Sequence, residues 1–207
     1  MFSARPIMLL GAFPLLAGFA SVAVRTASCS SEAASPPAAT AATFYAWIRL
    51  SGIEGEATKR GHERWIQVLG FSWGVAAGQA SARGAAARPT FQQLTIEKYF
   101  DRSSPHLAAA SAEGKVIAEA ELVFYGPAGT SSPPLGTVKL TNVQVSEVHT
   151  ERLDAASTER PTETIGFRFG KIEWLYNEID AVNREARTTV RTGWDVETNR
   201  AVSFPPE

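Results

Sequence analysis

Phe44-Tyr45-Ala46-Trp47-Ile48-Arg49-Leu50 alternates with a period of two. Phe44, Ala46, Ile48 and Leu50 fall on one face, with Tyr45, Trp47 and Arg49 on the other, as successive side chains of a β-strand do. Bulky groups stand on both faces, so this strand is expected to be covered twice or to meet another subunit. Outward from it, the turn Ser51-Gly52-Ile53-Glu54-Gly55-Glu56 and a charged loop as far as Arg64 lead to a second strand. That strand runs through Trp65-Ile66-Gln67-Val68-Leu69 to Phe71-Ser72-Trp73-Gly74. Residues 75–89 are small and carry Gly78, Gly84, Arg83 and Arg88. The segment is too long and too poor in hydrophobes for a tight hairpin turn, and ordered loops of that length are usually functional or mobile.

Residues 91–100 favour a third strand. Ser103-Ser104-Pro105 then offers capping hydroxyls before a proline suited to a first helical turn. Leu107-Ala108-Ala109-Ala110-Ser111-Ala112 forms helix readily, and Gly114-Lys115 ends it. Residues 116–125 alternate, with Val116, Ala118, Ala120, Leu122 and Phe124 on one side and Glu119 and Glu121 on the other. Residues 126–136 hold three prolines and three glycines, a loop composition. The apolar register of residues 138–148 shifts near Asn142, which predicts a bulge. Residues 164–176 make another long strand with a register change at Gly170. A final strand places Thr188, Val190, Thr192, Trp194 and Val196 on one face. Seven or so strands with one short helix predict an all-β barrel or sandwich, and a single helix cannot supply the crossovers of a parallel α/β sheet.

The composition excludes several functions. Among 207 residues, 20 Lys and Arg stand against 21 Asp and Glu, a net charge of −1, which argues against a chain built to coat nucleic acid or an anionic membrane. A single cysteine, Cys29, forms no disulfide within the chain and builds no cysteine zinc site. His62, His106 and His149 lie far apart and begin no metal-binding spacing. Ser104 beside His106 lacks the G-x-S-x-G elbow of a nucleophile and reads as a capping serine. Glu119 and Glu121 stand on one strand face, where a glycosidase could use two carboxylates, but that pattern reads as a solvated face. No cofactor, metal or catalytic residue is expected.

The N-terminus is a separate object. Arg5 precedes an uncharged run from Pro6 to Val24, and Ser21-Val22-Ala23 fits a signal-peptidase site with cleavage after Ala23. An uncleaved anchor, lipid attachment at Cys29 and a start near Val24 are the alternatives. Residues 1–24 are therefore read as signal-like and 25–42 as an Ala/Ser/Pro tether with little to bury. Residues 43–207 remain as one folded domain.

Trp47-Ile48-Arg49-Leu50-Ser51-Gly52-Ile53-Glu54-Gly55-Glu56 followed by Ile66-Gln67-Val68-Leu69-Gly70-Phe71-Ser72-Trp73-Gly74 resembles the opening of the haemolysin-coregulated proteins (Hcp), tube subunits of the type VI secretion system. The resemblance continues in order. Leu94-Thr95-Ile96-Glu97-Lys98-Tyr99-Phe100 runs into Asp101-Arg102-Ser103-Ser104-Pro105-His106-Leu107, like the strand that enters the family's single helix. Val143-Gln144-Val145-Ser146-Glu147-Val148, Gly166-Phe167-Arg168-Phe169 and Thr192-Gly193-Trp194-Asp195 resemble later strands.

The resemblance implies a β-barrel of two sheets with one short flanking α-helix. It implies homo-hexameric rings, stacked into a tube that acts as conduit and carrier of small protein effectors, with no catalytic residues. The loop bearing Gly78, Arg83, Gly84 and Arg88 sits where the family has a loop that contacts neighbouring subunits. A signal-like segment departs from this picture, because type VI tubes assemble in the cytoplasm. A secreted or periplasmic β-barrel binding module outside any tube is thus the alternative, and a misassigned start would restore a cytoplasmic subunit that is secreted later.

Overall fold

A computed structural model describes residues 45–78, 88–126, 129–151, 160–180 and 182–204. The first strand, β1 (Tyr45–Leu50), is followed by β2 (Ile66–Val68) and β3 (Gly70–Ser72). A short ribbon of β4 (Val75–Ala76) and β5 (Thr90–Phe91) comes next, then β6 (Leu94–Tyr99) and the helix α1 (Ser104–Glu113). The remainder is β7 (Val116–Tyr125), β8 (Gly136–Glu151), β9 (Thr162–Arg168), β10 (Lys171–Ile179), β11 (Ala186–Asp195) and β12 (Arg200–Ala201). Every pairing between these strands is antiparallel.

The pairings close a barrel. Going round it, β1 pairs with β7, β7 with β8, β8 with β9, β9 with β6 and β6 with β3, while β2 returns to β1. The sixteen-residue β8 makes closure possible by serving two neighbours on one edge. Its first half pairs with β10 and its second half with β9. The bend between the halves lies at Asn142, whose φ of 54° is left-handed, a region that asparagine tolerates better than most residues. Opposite it, β7 turns over as well: Ile117 is buried, Val116 and Ala118 are exposed, and from Ala120 onward the even positions face inward. The predicted register shift at Asn142 is therefore present. The expectation that Val116 and Ala118 share a face with Leu122 fails, because the neighbouring strand bends at the same level. The long strand expected over residues 164–176 divides at Gly170, whose N–H donates to the Thr141 carbonyl at 3.0 Å, into β9 and β10. The expected third strand likewise splits into β5 and β6.

The barrel is filled by Ile48, Ile66, Leu94, Ile96, Leu122, Leu140, Ile165, Phe167 and Ile172, all essentially without solvent contact. The helix spans the residues the sequence indicates, with Pro105 in its first turn and Gly114 in the left-handed conformation (φ 63°) after its end. It docks on the barrel through Leu107 and Ala110, which belong to the same core. Ser103 does not cap it by a side-chain bond. Instead Asp101 Oδ1 accepts from the Ser103 N–H at 2.8 Å, and Ser104 Oγ accepts from the Asp101 N–H at 2.9 Å.

Ser104 belongs to a buried ionic cluster. Lys98 on β6 is fully buried, and its three ammonium protons meet three oxygens: Glu163 Oε2 at 2.6 Å, Ser104 Oγ at 2.9 Å and Asp101 Oδ1 at 3.0 Å. Glu163 lies directly opposite Lys98 on β9, and Thr150 donates to its other oxygen at 3.0 Å. One cluster thus ties two barrel strands to the start of the helix.

Trp47 is covered by the chain itself. Residues 54–65 fold over the outer face of β1 and β7, so Trp47, Val123 and Tyr125 form a second small core with Ala57 and Trp65 against it. Of the two possibilities for that face, a second covering layer is the one realised, and Trp47 is only 6% exposed.

Candidate functional site

The segment that the sequence singles out is described only at its base. Gly78 and Arg88 face each other there, and Arg83 and Gly84 lie outside the described residues, as does Ala23. A Cβ on Gly78 would stand 2.1 Å from the Arg88 carbonyl oxygen, so the two limbs of the loop approach as closely as they do only because position 78 is glycine. The β4–β5 ribbon leans on β10 through Phe91, whose ring lies 6.2 Å from that of Phe169 and 6.4 Å from that of Trp174. Arg88 reaches the turn after β11, donating to the Val196 carbonyl at 2.9 Å and the Glu197 carbonyl at 3.4 Å. Its guanidinium therefore fixes the root of the loop within its own subunit.

A second surface was not picked out as a unit by sequence. On the outer face of β1, β7, β8, β10 and β11 charges alternate across the strands. Arg49 pairs with Glu121 at 2.8 Å, Lys139 reaches the same carboxylate at 3.6 Å, and Glu173 accepts from Lys171 at 3.0 Å and from Arg191 at 2.8 Å. Burial alone would push the Glu173 carboxyl up, but hydrogen bonds and charge from Arg191 and Lys171 outweigh it and hold the group below the usual carboxylate range. This ladder floors a concavity of about 1010 Å³, walled by the turn at Ser51–Glu54 and by Arg64 and Trp65. Small-molecule sites are mostly apolar with a few converging polar groups. This face is broad, charged and neutralised within itself, so it suits a wall along which another macromolecule lies. Charged residues at alternate positions, Glu119 and Glu121 on one strand and Lys171 and Glu173 on another, were the available signal, but their pairing partners come from strands remote in sequence.

The groups weighed for catalysis are occupied or apart. Ser104 Oγ accepts from Lys98 and donates to Glu163, whereas His106 is exposed on the helix. Glu121 is held between Arg49 and Lys139. Among the described residues no three His, Cys, Asp or Glu side chains are grouped to hold a metal ion, and no helix is long and apolar enough to cross a membrane.

The sheet is open along β11. β11 pairs with β10 along its length, but β12 covers its outer edge only at Trp194 and Asp195. Among the described residues no strand pairs with the outer edge over 186–192. Tyr176 and Val190, directly opposite each other on β10 and β11, are 50% and 56% exposed.

Comparison with known proteins places this fold. Residues 47–176 match the family described as "Type VI secretion system effector, Hcp". The chain belongs to the Hcp family. Hcp proteins are secreted, structural components of type VI secretion, not a family of enzymes. Protein hcp1 of Pseudomonas aeruginosa is 27% identical over 156 residues, covering 74% of this chain and 95% of the relative. A solved type six secretion system protein is 30% identical with a TM-score of 0.69, covering 77% of this chain and all of the other. A type VI secretion system effector from Yersinia pestis is 26% identical with a TM-score of 0.59, covering 73% of this chain and 99% of the other. The all-β Hcp barrel with one flanking helix, expected from the quoted stretches, is the fold found.

Proposed function

We propose that this Hcp-family chain is a ring-forming tube subunit: six copies close head to tail, rings stack, and small protein effectors travel in the bore. The observation that carries the reading is the open outer edge of β11. An uncovered strand edge is a template for pairing with another chain, and a head-to-tail contact whose rotation closes gives a ring. The exposed Tyr176–Val190 pair beside that edge supplies apolar area to an otherwise polar contact. The charge ladder suits the bore, because it stays hydrated and offers moving cargo little apolar surface. The loop rooted at Gly78 and Arg88 would meet the next subunit, with Arg88 orienting the root and residues 79–87, including Arg83 and Gly84, making the contact.

Replacing residues 79–87 by a short Gly-Ser linker tests the loop. The expected result is loss of the ring in sedimentation velocity with the urea midpoint unchanged, and equal loss of ring and fold removes the loop from the interface. For the N-terminus we infer export through a cleaved signal ending at Ala23, supported by the uncharged run between Arg5 and Arg25. N-terminal sequencing of the protein from its native cells is expected to begin at Val24. An intact product beginning at Met1 contradicts export with cleavage. Export followed by work outside any tube, as a binding module, is the second reading, and that same run is what favours it.

A further inference from the structure

We infer that residues 54–65 form a strap, clasped over the aromatic face of β1 and β7 by His62 in its neutral state, which lifts when the imidazole gains a proton. The inference rests on the packing of one ring and is independent of the ring-assembly reading. His62 is 8% exposed. Its ring stacks on Trp47 at 4.8 Å and meets the edges of Trp65 at 4.8 Å and Tyr125 at 5.6 Å. Nε2 lies 3.2 Å from the Tyr125 hydroxyl, while the buried Nδ1 makes no hydrogen bond. A neutral imidazole accommodates this with one hydrogen-bonding nitrogen, whereas a protonated ring buries a charge among three aromatic rings, a cost that the nearby Arg60 carbonyl offsets only in part.

Burial lowers the proton affinity of His62 and is the largest influence. Against it, Glu63, the Arg60 carbonyl and Glu121 on β7 favour the charged ring, and Lys59 acts with burial. On β1, Arg49 lies over the Trp65 ring at 5.3 Å and is engaged with Glu121. The Tyr125 phenol, pushed up by its own burial, stays neutral. The net direction is below the ordinary histidine value. A lifted strap takes its proton at the ordinary value, about 6.5, so the closed form is fully favoured above that pH and loses ground as pH falls below it.

The strap is built to open at its tip. Its base is a small hairpin, with Gly55 N–H donating to the Arg64 carbonyl at 2.8 Å and Ala57 N–H to the Trp65 carbonyl at 3.0 Å. Glu54 pairs with Arg64 at 2.9 Å, and Glu56 accepts from the Arg102 N–H at 3.0 Å and from Arg160 at 3.3 Å. Beyond this base, residues 58–63 turn through Gly61 (φ 85°) and are held to the barrel face by His62. Lifting that tip uncovers Trp47 and Tyr125, an apolar patch next to the charged wall.

Hydrogen exchange of the full chain at pH 7.5 and pH 5.0, corrected for intrinsic rates, tests the strap. Protection of residues 57–65 is expected to fall at least tenfold in acid relative to β7 and β8. In His62→Phe, which keeps the stacking and cannot titrate there, it is expected to stay constant. Unchanged protection in the unmodified chain, or an equal fall in the variant, overturns the proposal. Should the variant not fold, NMR titration of His62 in the unmodified chain decides. Titration below the ordinary value, with the Trp65 indole resonance moving in step, upholds the clasp; titration at or above that value overturns it.

Discussion

Replacing Lys98 by methionine is expected to cost about 3–5 kcal/mol of folding stability, because it leaves Glu163 charged and buried without its counter-ion. Both side chains are essentially free of solvent and stand opposite each other on paired strands, so water cannot take the lost partner's place. Asp101 loses an ammonium contact at the same time, and with it the turn that starts the helix is loosened. Substituting the pair together, Lys98→Met with Glu163→Leu, is expected to return most of the loss, since a buried ion pair is often no more stabilising than apolar groups of similar volume. Urea denaturation of the three proteins measures both effects. A Lys98→Met chain as stable as the parent would show that the cluster is hydrated in solution, and the account of how the helix is tied to the barrel would fall with it.

Val190→Asp is expected to act on the other side of the ledger, abolishing assembly and leaving the fold alone. Val190 lies on the open strand and is 56% exposed, so a carboxylate there meets water in the single subunit and should change stability by no more than about 0.5 kcal/mol. Inside a ring the same carboxylate would be desolvated at every contact, and the few hot-spot positions of an interface cost about 2 kcal/mol or more when disrupted. Sedimentation velocity at matched concentration is expected to show single subunits for the variant. Retained assembly would mean that this edge does not join the copies. Charging Trp47 instead would not separate assembly from folding, because that side chain belongs to an internal core.

The features legible in the sequence are those encoded locally. The alternation of β1, the proline and glycine that frame α1, and the register shift at Asn142 each depend on a few consecutive residues, and each is found where the pattern puts it. The division of β9 from β10 at Gly170 was visible only as a register change, because a strand bent around β8 keeps the same residue types on both sides of the bend. Pairings across the barrel were not legible. Lys98 and Glu163 look like two solvated charges until β6 and β9 are set side by side, 65 residues apart. The same holds for Arg49, Glu121, Lys139, Glu173 and Arg191, whose alternation exists only across strands. The strap reads in sequence as a charged loop, and its most deeply buried side chain, His62, gives no periodic sign of its burial. Nor does the loop's own sequence show that the Arg88 guanidinium donates to the Val196 and Glu197 carbonyls, 108 and 109 residues further on in the same chain.

The most direct test of the assembly reading is the mass of the unmodified protein in solution, read by mass photometry across a concentration series. The account predicts a dominant species six times the mass of the single subunit, with multiples of it where rings stack. A single-subunit mass that persists to the highest concentration reached would contradict it.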